Sequence, residues 1–93
     1  MPIHRFRHKG LEQLFTSGSP RGVPVALVPR LRLVLARLQA ARELRDLDLP
    51  GLRLHRLKGN RADVWAVRIS GNWRLTFRFV DGEPAGVDLE DYH

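Results

Sequence analysis

Two histidines bracket the second half of this chain. His55 is the only histidine within its most basic stretch, and His93 is the last residue of the sequence, directly after Asp91 and Tyr92. An imidazole exchanges a proton near neutral pH. Between Arg53 and Arg78 lie seven basic residues (Arg53, Arg56, Lys58, Arg61, Arg68, Arg74 and Arg78) and a single acid, Asp63. Two proton-transfer groups around a cationic phosphate pocket are what RNA transesterification requires. One removes the proton of the ribose 2′-OH, the other protonates the departing 5′ oxygen, and cations steady the charge that builds on the phosphate oxygens. Each feature also has a plainer reading. His55 alone is an ordinary surface residue of a strand, and a final His93 is ordinarily frayed. A basic strand face is ordinarily the solvated side of a half-buried antiparallel sheet.

The charge is unevenly placed. The formal net charge is +6, and fourteen of the sixteen basic residues are Arg, leaving only Lys9 and Lys58. Arg presents the better fork for phosphate oxygens. From Asp81 to His93 there are five acids and no Lys or Arg. A concentrated cationic stretch beside an acidic end suggests a polyanion site with a built-in limit.

These residues need elements to place them. Residues 2–7 are expected to form a short first strand, and residues 8–17 a first helix, with Leu11, Leu14 and Phe15 on one face. The loop 17–22 follows by composition. Leu27, Leu31, Val34, Leu35, Leu38 and Ala41 then recur in one apolar stripe, the mark of a second helix. Pro24 and Pro29 place its start near Val25 or at the latest at Pro29, because Pro is tolerated only in a first turn. Residues 43–47 are read as a further short turn before Pro50-Gly51.

After Gly51 the period changes to two. Leu52 and Leu54, then Trp65, Val67 and Ile69, then Trp73, Leu75, Phe77 and Phe79, then Val87 and Leu89 occupy one phase. Ser70-Gly71-Asn72 and Asp81-Gly82-Glu83 join neighbours as tight turns. The expected fold class is therefore α+β: a small antiparallel β-sheet with two to three helices packed on one face, in a single domain over residues 1–93. The other face is expected to carry Arg53, His55, Arg68, Arg74 and Arg78, with Lys58 and Arg61 in the loop beside it. Such a face binds phosphate backbones by counterion release.

Other signals point away from chemistry. The i, i+4 pair His4 and His8 straddles a strand and a helix start without a third ligand, so no metal and no cofactor is expected. Gly18 and Gly22 lack the Lys-Ser/Thr of a phosphate-binding loop. Trp65 and Trp73 lie on the apolar phase and read as core. The absence of cysteine excludes a disulfide framework and thiolate chemistry. No run is apolar enough to span a membrane, and the N-terminus lacks the features of a secretory signal. The expected location is the cytoplasm.

The chain resembles the HigB-type (host inhibition of growth) toxins, a branch of the RelE/ParE superfamily of bacterial toxin–antitoxin systems. The likeness is carried by His8-Lys9-Gly10-Leu11 with Leu14-Phe15, by Leu35-Ala36-Arg37-Leu38 with Ala40-Ala41, and by Leu52-Arg53-Leu54-His55 with Leu57-Lys58-Gly59. It is most specific at Gly71-Asn72-Trp73-Arg74-Leu75-Thr76-Phe77-Arg78-Phe79 and closes with Asp88 and Glu90-Asp91-Tyr92-His93. Pro29 and the apolar Val25-Ala26-Leu27 depart from the more polar helix start expected of the family.

The resemblance implies a RelE-like fold and ribosome-dependent cleavage of mRNA codons in the 30S A site, without a metal. The implied products are a 2′,3′-cyclic phosphate and a 5′-hydroxyl. It matches His55, Asp91, Tyr92 and His93 to the catalytic cluster, and Lys58 and Arg74 to supporting cations, with Arg53, Arg78 and Arg68 further out. One of His55 and His93 would handle the 2′-OH proton and the other the leaving group. Tyr92 would stack on or hydrogen-bond the substrate, and Asp91 would orient a histidine. The implied partner is a cognate helix-turn-helix antitoxin of the HigA type, through which alone operator DNA would be bound. The competing expectation is a non-nucleolytic toxin: a ParE-like gyrase poison, or a corepressor acting through its antitoxin. A gyrase poison does not need the set His55, Tyr92 and His93, all of which are present.

Overall fold

The computed structural model describes residues 1–92. The first helix, α1 (Lys9–Ser17), starts where His8 accepts the Leu11 N–H on its ring Nδ1 at 3.1 Å, supplying an orphan donor of the first turn with a partner. It stops at Gly18, whose left-handed φ of 77° suits a residue without Cβ. The approach of α1 to the following loop also requires glycine. A Cβ on Gly10 would lie 2.1 Å from the Gly22 carbonyl oxygen, so here backbone meets backbone.

The second helix, α2 (Val28–Ala40), follows a 3-10 turn over Val25–Leu27. The prolines act as the sequence predicts: Pro24 precedes the 3-10 turn, and Pro29 sits within the first turn of α2. Leu31, Val34, Leu35 and Leu38 are buried. Each such side chain contributes about 1.5–3 kcal/mol on leaving water. A further 3-10 turn spans Leu44–Leu47, where Glu43 and Asp46 close a capping box.

Four antiparallel strands then lie side by side in chain order: β1 (His55–Arg56), β2 (Trp65–Ser70), β3 (Trp73–Val80) and β4 (Glu83–Asp91). The β3–β4 turn has positive φ at both Asp81 and Gly82, the geometry that matches strand twist in a two-residue hairpin. Val67, Ile69, Leu75, Phe77, Val87 and Leu89 join the helical leucines in one core. The helices α1 and α2 pack against β4 and β2, respectively. The fold is α+β, with its helices packed against the small antiparallel sheet.

Two expected strands come out shorter. The N-terminal segment runs parallel to β4 but forms only the bridge Phe6–Val87, with hydrogen bonds from His4 N to Pro84 O (2.8 Å) and Arg7 N to Val87 O (2.8 Å). Pro84 has no N–H to return and Gly86 turns to a φ of 60°, so β4 offers that edge a broken ladder. Leu52–Leu54 stay outside β1 because Arg53 adopts a φ of 51°, which leaves the extended region. Leu52 keeps one link to β2, accepting from Arg68 N at 2.6 Å.

Candidate active site

The connection between β1 and β2 decides what the sheet exposes. Its residues 59–61 form a 3-10 turn, and Arg61 reaches over β3 to Glu90 on β4, with N–O distances of 2.9 and 2.6 Å. Glu90 also accepts from the Thr76 hydroxyl at 2.5 Å. The Arg61 guanidinium, followed by the Thr76 hydroxyl, holds the Glu90 carboxyl below the usual range. A second tie joins Asp63 to Arg78 at 2.8 Å. The face expected to be open and uniformly cationic is therefore crossed by a strap, beneath which Thr76 is 2% exposed.

Two of the cavities formed by the described residues lie on this face. One, of about 290 Å³, is lined by Arg7, Arg61, Thr76, Arg78, Asp88 and Glu90 among others. Its Arg side chains face carboxylates: Arg61–Glu90, Arg78–Asp63 and, at 3.9 Å, Arg7–Asp88. The other, of about 580 Å³, is lined by Arg53, Leu54, His55, Arg74 and Tyr92. Among the described residues no carboxylate forms an ion pair with Arg53, Lys58 or Arg74. Arg53 and Arg74, which line the second cavity, are thus left to meet a polyanion, as is Lys58 on the exposed strap.

His55 is held through its ring. Its Nδ1 lies 2.8 Å from the Arg53 carbonyl oxygen. A carbonyl oxygen only accepts, so Nδ1 carries the proton and Nε2 is the nitrogen left to exchange one. The left-handed backbone at Arg53 belongs to the same short segment, and a side-chain-bearing residue adopts it at a cost of roughly 1–2 kcal/mol. Arg74 is braced by its own hairpin: Nη1 donates to Gly71 O at 2.7 Å and to Trp73 O at 3.0 Å. Tyr92 is fixed by its N–H to Asn72 O at 2.8 Å. Its hydroxyl is enclosed and has no hydrogen-bond partner among the described residues, and the residue lines the cavity.

The structure therefore brings together four residues the sequence singled out: Arg53, His55, Arg74 and Tyr92. Asp91 ends β4, paired in register with Trp73. Arg68 is opposite Arg74 on β2 but does not line the cavity. Lys58 is exposed, immediately before the 3-10 turn of the strap. Arg78 lines the first cavity, where Asp63 of the strap holds its guanidinium. His93 lies outside the described residues.

Sequence reasoning missed the triad Arg61, Glu90 and Thr76. The available signal was phase alone: Thr76 and Glu90 alternate with the buried Leu75, Phe77 and Leu89, and so belong on the side opposite the helices. No three His, Cys, Asp or Glu side chains gather in a metal-holding group among the described residues. No helix among them is long and apolar enough to cross a membrane.

Comparison with known proteins adds kinship to this geometry. The family described as the RelE-like toxin of type II toxin–antitoxin system HigB matches residues 4–93. The chain is 40% identical over 91 residues to Endoribonuclease HigB of Proteus vulgaris, a match covering 98% of this chain and 99% of that one. It is 34% identical over 89 residues to Toxin HigB-1 of Vibrio cholerae serotype O1, covering 94% of each.

Proposed function

The chain belongs to the HigB-like toxin family of type II toxin–antitoxin systems, and from that premise we propose an endoribonuclease toxin that cuts mRNA codons in the 30S ribosomal A site. The observation that carries the reading is the cavity joining His55 to Arg53, Arg74 and Tyr92. In this reading His55, its Nδ1 donating to the Arg53 carbonyl, works through Nε2 as the base. Its Nε2 takes the 2′-OH proton, the 2′ oxygen attacks the adjacent phosphorus, and the bond from phosphorus to the 5′ oxygen breaks. His93 gives the departing oxygen its proton. The products are a 2′,3′-cyclic phosphate and a 5′-hydroxyl.

Arg53, Arg74 and Lys58 steady the charge on the phosphate oxygens, where fixed donors act most strongly. The Tyr92 ring stacks on a base, the usual way a protein holds an unpaired nucleotide. Asp91 orients a histidine. Arg68 and Arg78 act only as outer support. The type II family implies an antitoxin partner. In this reading it is a HigA-type helix-turn-helix protein that brings the pair to operator DNA, and the toxin works in the cytoplasm, where ribosomes are.

The test is to incubate the purified protein with programmed ribosomes and map mRNA ends. Wild type is expected to cut within the A-site codon, and His55→Ala and His93→Ala to slow cutting by roughly 10²–10⁴-fold, the usual worth of a proton-transfer group. Full cleavage by both variants would remove the mechanism.

A further inference from the structure

We propose that Arg61 is a positioning residue for the cleavage reaction: it locks the strap that carries Lys58 onto the strand that leads into Asp91, Tyr92 and His93. The inference rests on the nuclease reading above. Strand order separates the two pieces, since the β1–β2 connection starts from one edge of the sheet and β4 lies two strands further than β2. Arg61 closes that gap with both arms of its guanidinium on both oxygens of Glu90. A fork-to-fork contact fixes orientation as well as distance, which a single ammonium does not.

The anchor point is itself held. Glu90 accepts the Thr76 hydroxyl from below, in the sheltered middle of the sheet. Asp63 and Arg78 tie down the far end of the same strap, and Arg56 Nε bonds the Ala62 carbonyl within it. Arg61 follows Lys58 by three residues, and Glu90 immediately precedes Asp91 and Tyr92. With its charge engaged by Glu90, Arg61 differs from Arg53 and Arg74, which form no ion pair among the described residues. It does not line the His55 cavity and so acts through the residues that do.

Two readouts test this in the full-length protein. Single-turnover cleavage on programmed ribosomes separates the maximal rate from the half-saturating concentration. Ring resonances of ¹³C-labelled tyrosine report Tyr92 alone, because it is the chain's only tyrosine, and they need no substrate. Arg61→Gln is expected to lower the maximal rate on the order of tenfold to a hundredfold, as small misplacements of reacting groups do, with little change in half-saturation. Arg61→Lys should recover part of the rate. The Tyr92 signals should move in Arg61→Gln and stay in place in Arg21→Gln, a change in the loop ahead of α2. Thr76→Val removes one hydrogen bond from Glu90 without touching the strap and should give the same split in smaller measure, which covers the case of an unfolded Arg61→Gln. Unmoved Tyr92 signals, or a rise in half-saturation alone, would overturn the proposal. Wild type that leaves mRNA intact would instead overturn the nuclease reading, whatever the tyrosine signals show.

Discussion

At the level of single residues, the site depends on a backbone conformation as much as on side-chain chemistry. Arg53 has a left-handed φ of 51° and presents its carbonyl to His55 Nδ1. The two contributions of Arg53, main chain and guanidinium, separate in Arg53→Gly. Glycine adopts positive φ freely and keeps the carbonyl. The variant should therefore unfold at a higher temperature, by an equivalent of roughly 0.5–1 kcal/mol, and yet cleave mRNA more slowly for want of a cation. A lower melting temperature together with unchanged cleavage would contradict both halves. His55 itself was legible from sequence, as the one histidine inside the basic stretch. The conformation of Arg53 was not, because an arginine in the left-handed region leaves no mark in composition or period. The enclosed Tyr92 hydroxyl was equally hidden: residue type suggests a hydrogen-bonding group, whereas it is buried without a partner among the described residues.

At the level of elements, periodicity carried most of the information. The period of 3.6 found α1 and α2, the period of two found β2, β3 and β4, and Asp81-Gly82 marked its turn. The strap escaped because its defining contact joins residues 61 and 90, and no local pattern encodes a bond across 29 residues. Its ion pairs predict how it responds to acid. Arg61 first, then Thr76, lowers the folded-state pKa of Glu90, and Arg78 lowers that of Asp63. A depressed folded pKa contributes stability that is present above the unfolded value and disappears as pH falls through the folded one. Thermal unfolding followed downward from neutral pH should therefore show a loss of stability below about pH 5, where carboxylates begin to protonate. Glu90→Gln should begin less stable and lose less over the same range. If the two curves fall in parallel, the Glu90 contact contributes nothing to the acid limb.

At the level of the whole molecule, the net charge of +6 was plain from the sequence, but its division was not. Folding pairs Arg61, Arg78 and Arg7 with Glu90, Asp63 and Asp88, and leaves Arg53, Arg74 and Lys58 without such partners among the described residues. On the sheet face the cations offered to RNA are thus fewer than a count suggests, and two of them, Arg53 and Arg74, line the His55 cavity. Binding that neutralises phosphates weakens with salt in proportion to the contacts made, by about 0.7 in log–log slope for each contact to single-stranded nucleic acid. Affinity of the catalytically silenced His55→Ala protein for a short single-stranded RNA, measured across a salt series, should follow that rule. Arg53→Gln and Arg74→Gln should each flatten the slope by about that amount. Arg78→Gln should flatten it less, because Asp63 already holds that guanidinium at 2.8 Å. Equal flattening by all three would mean that the cations act as one diffuse cloud, and the distinction between paired and unpaired arginines would have no bearing on how this toxin meets RNA.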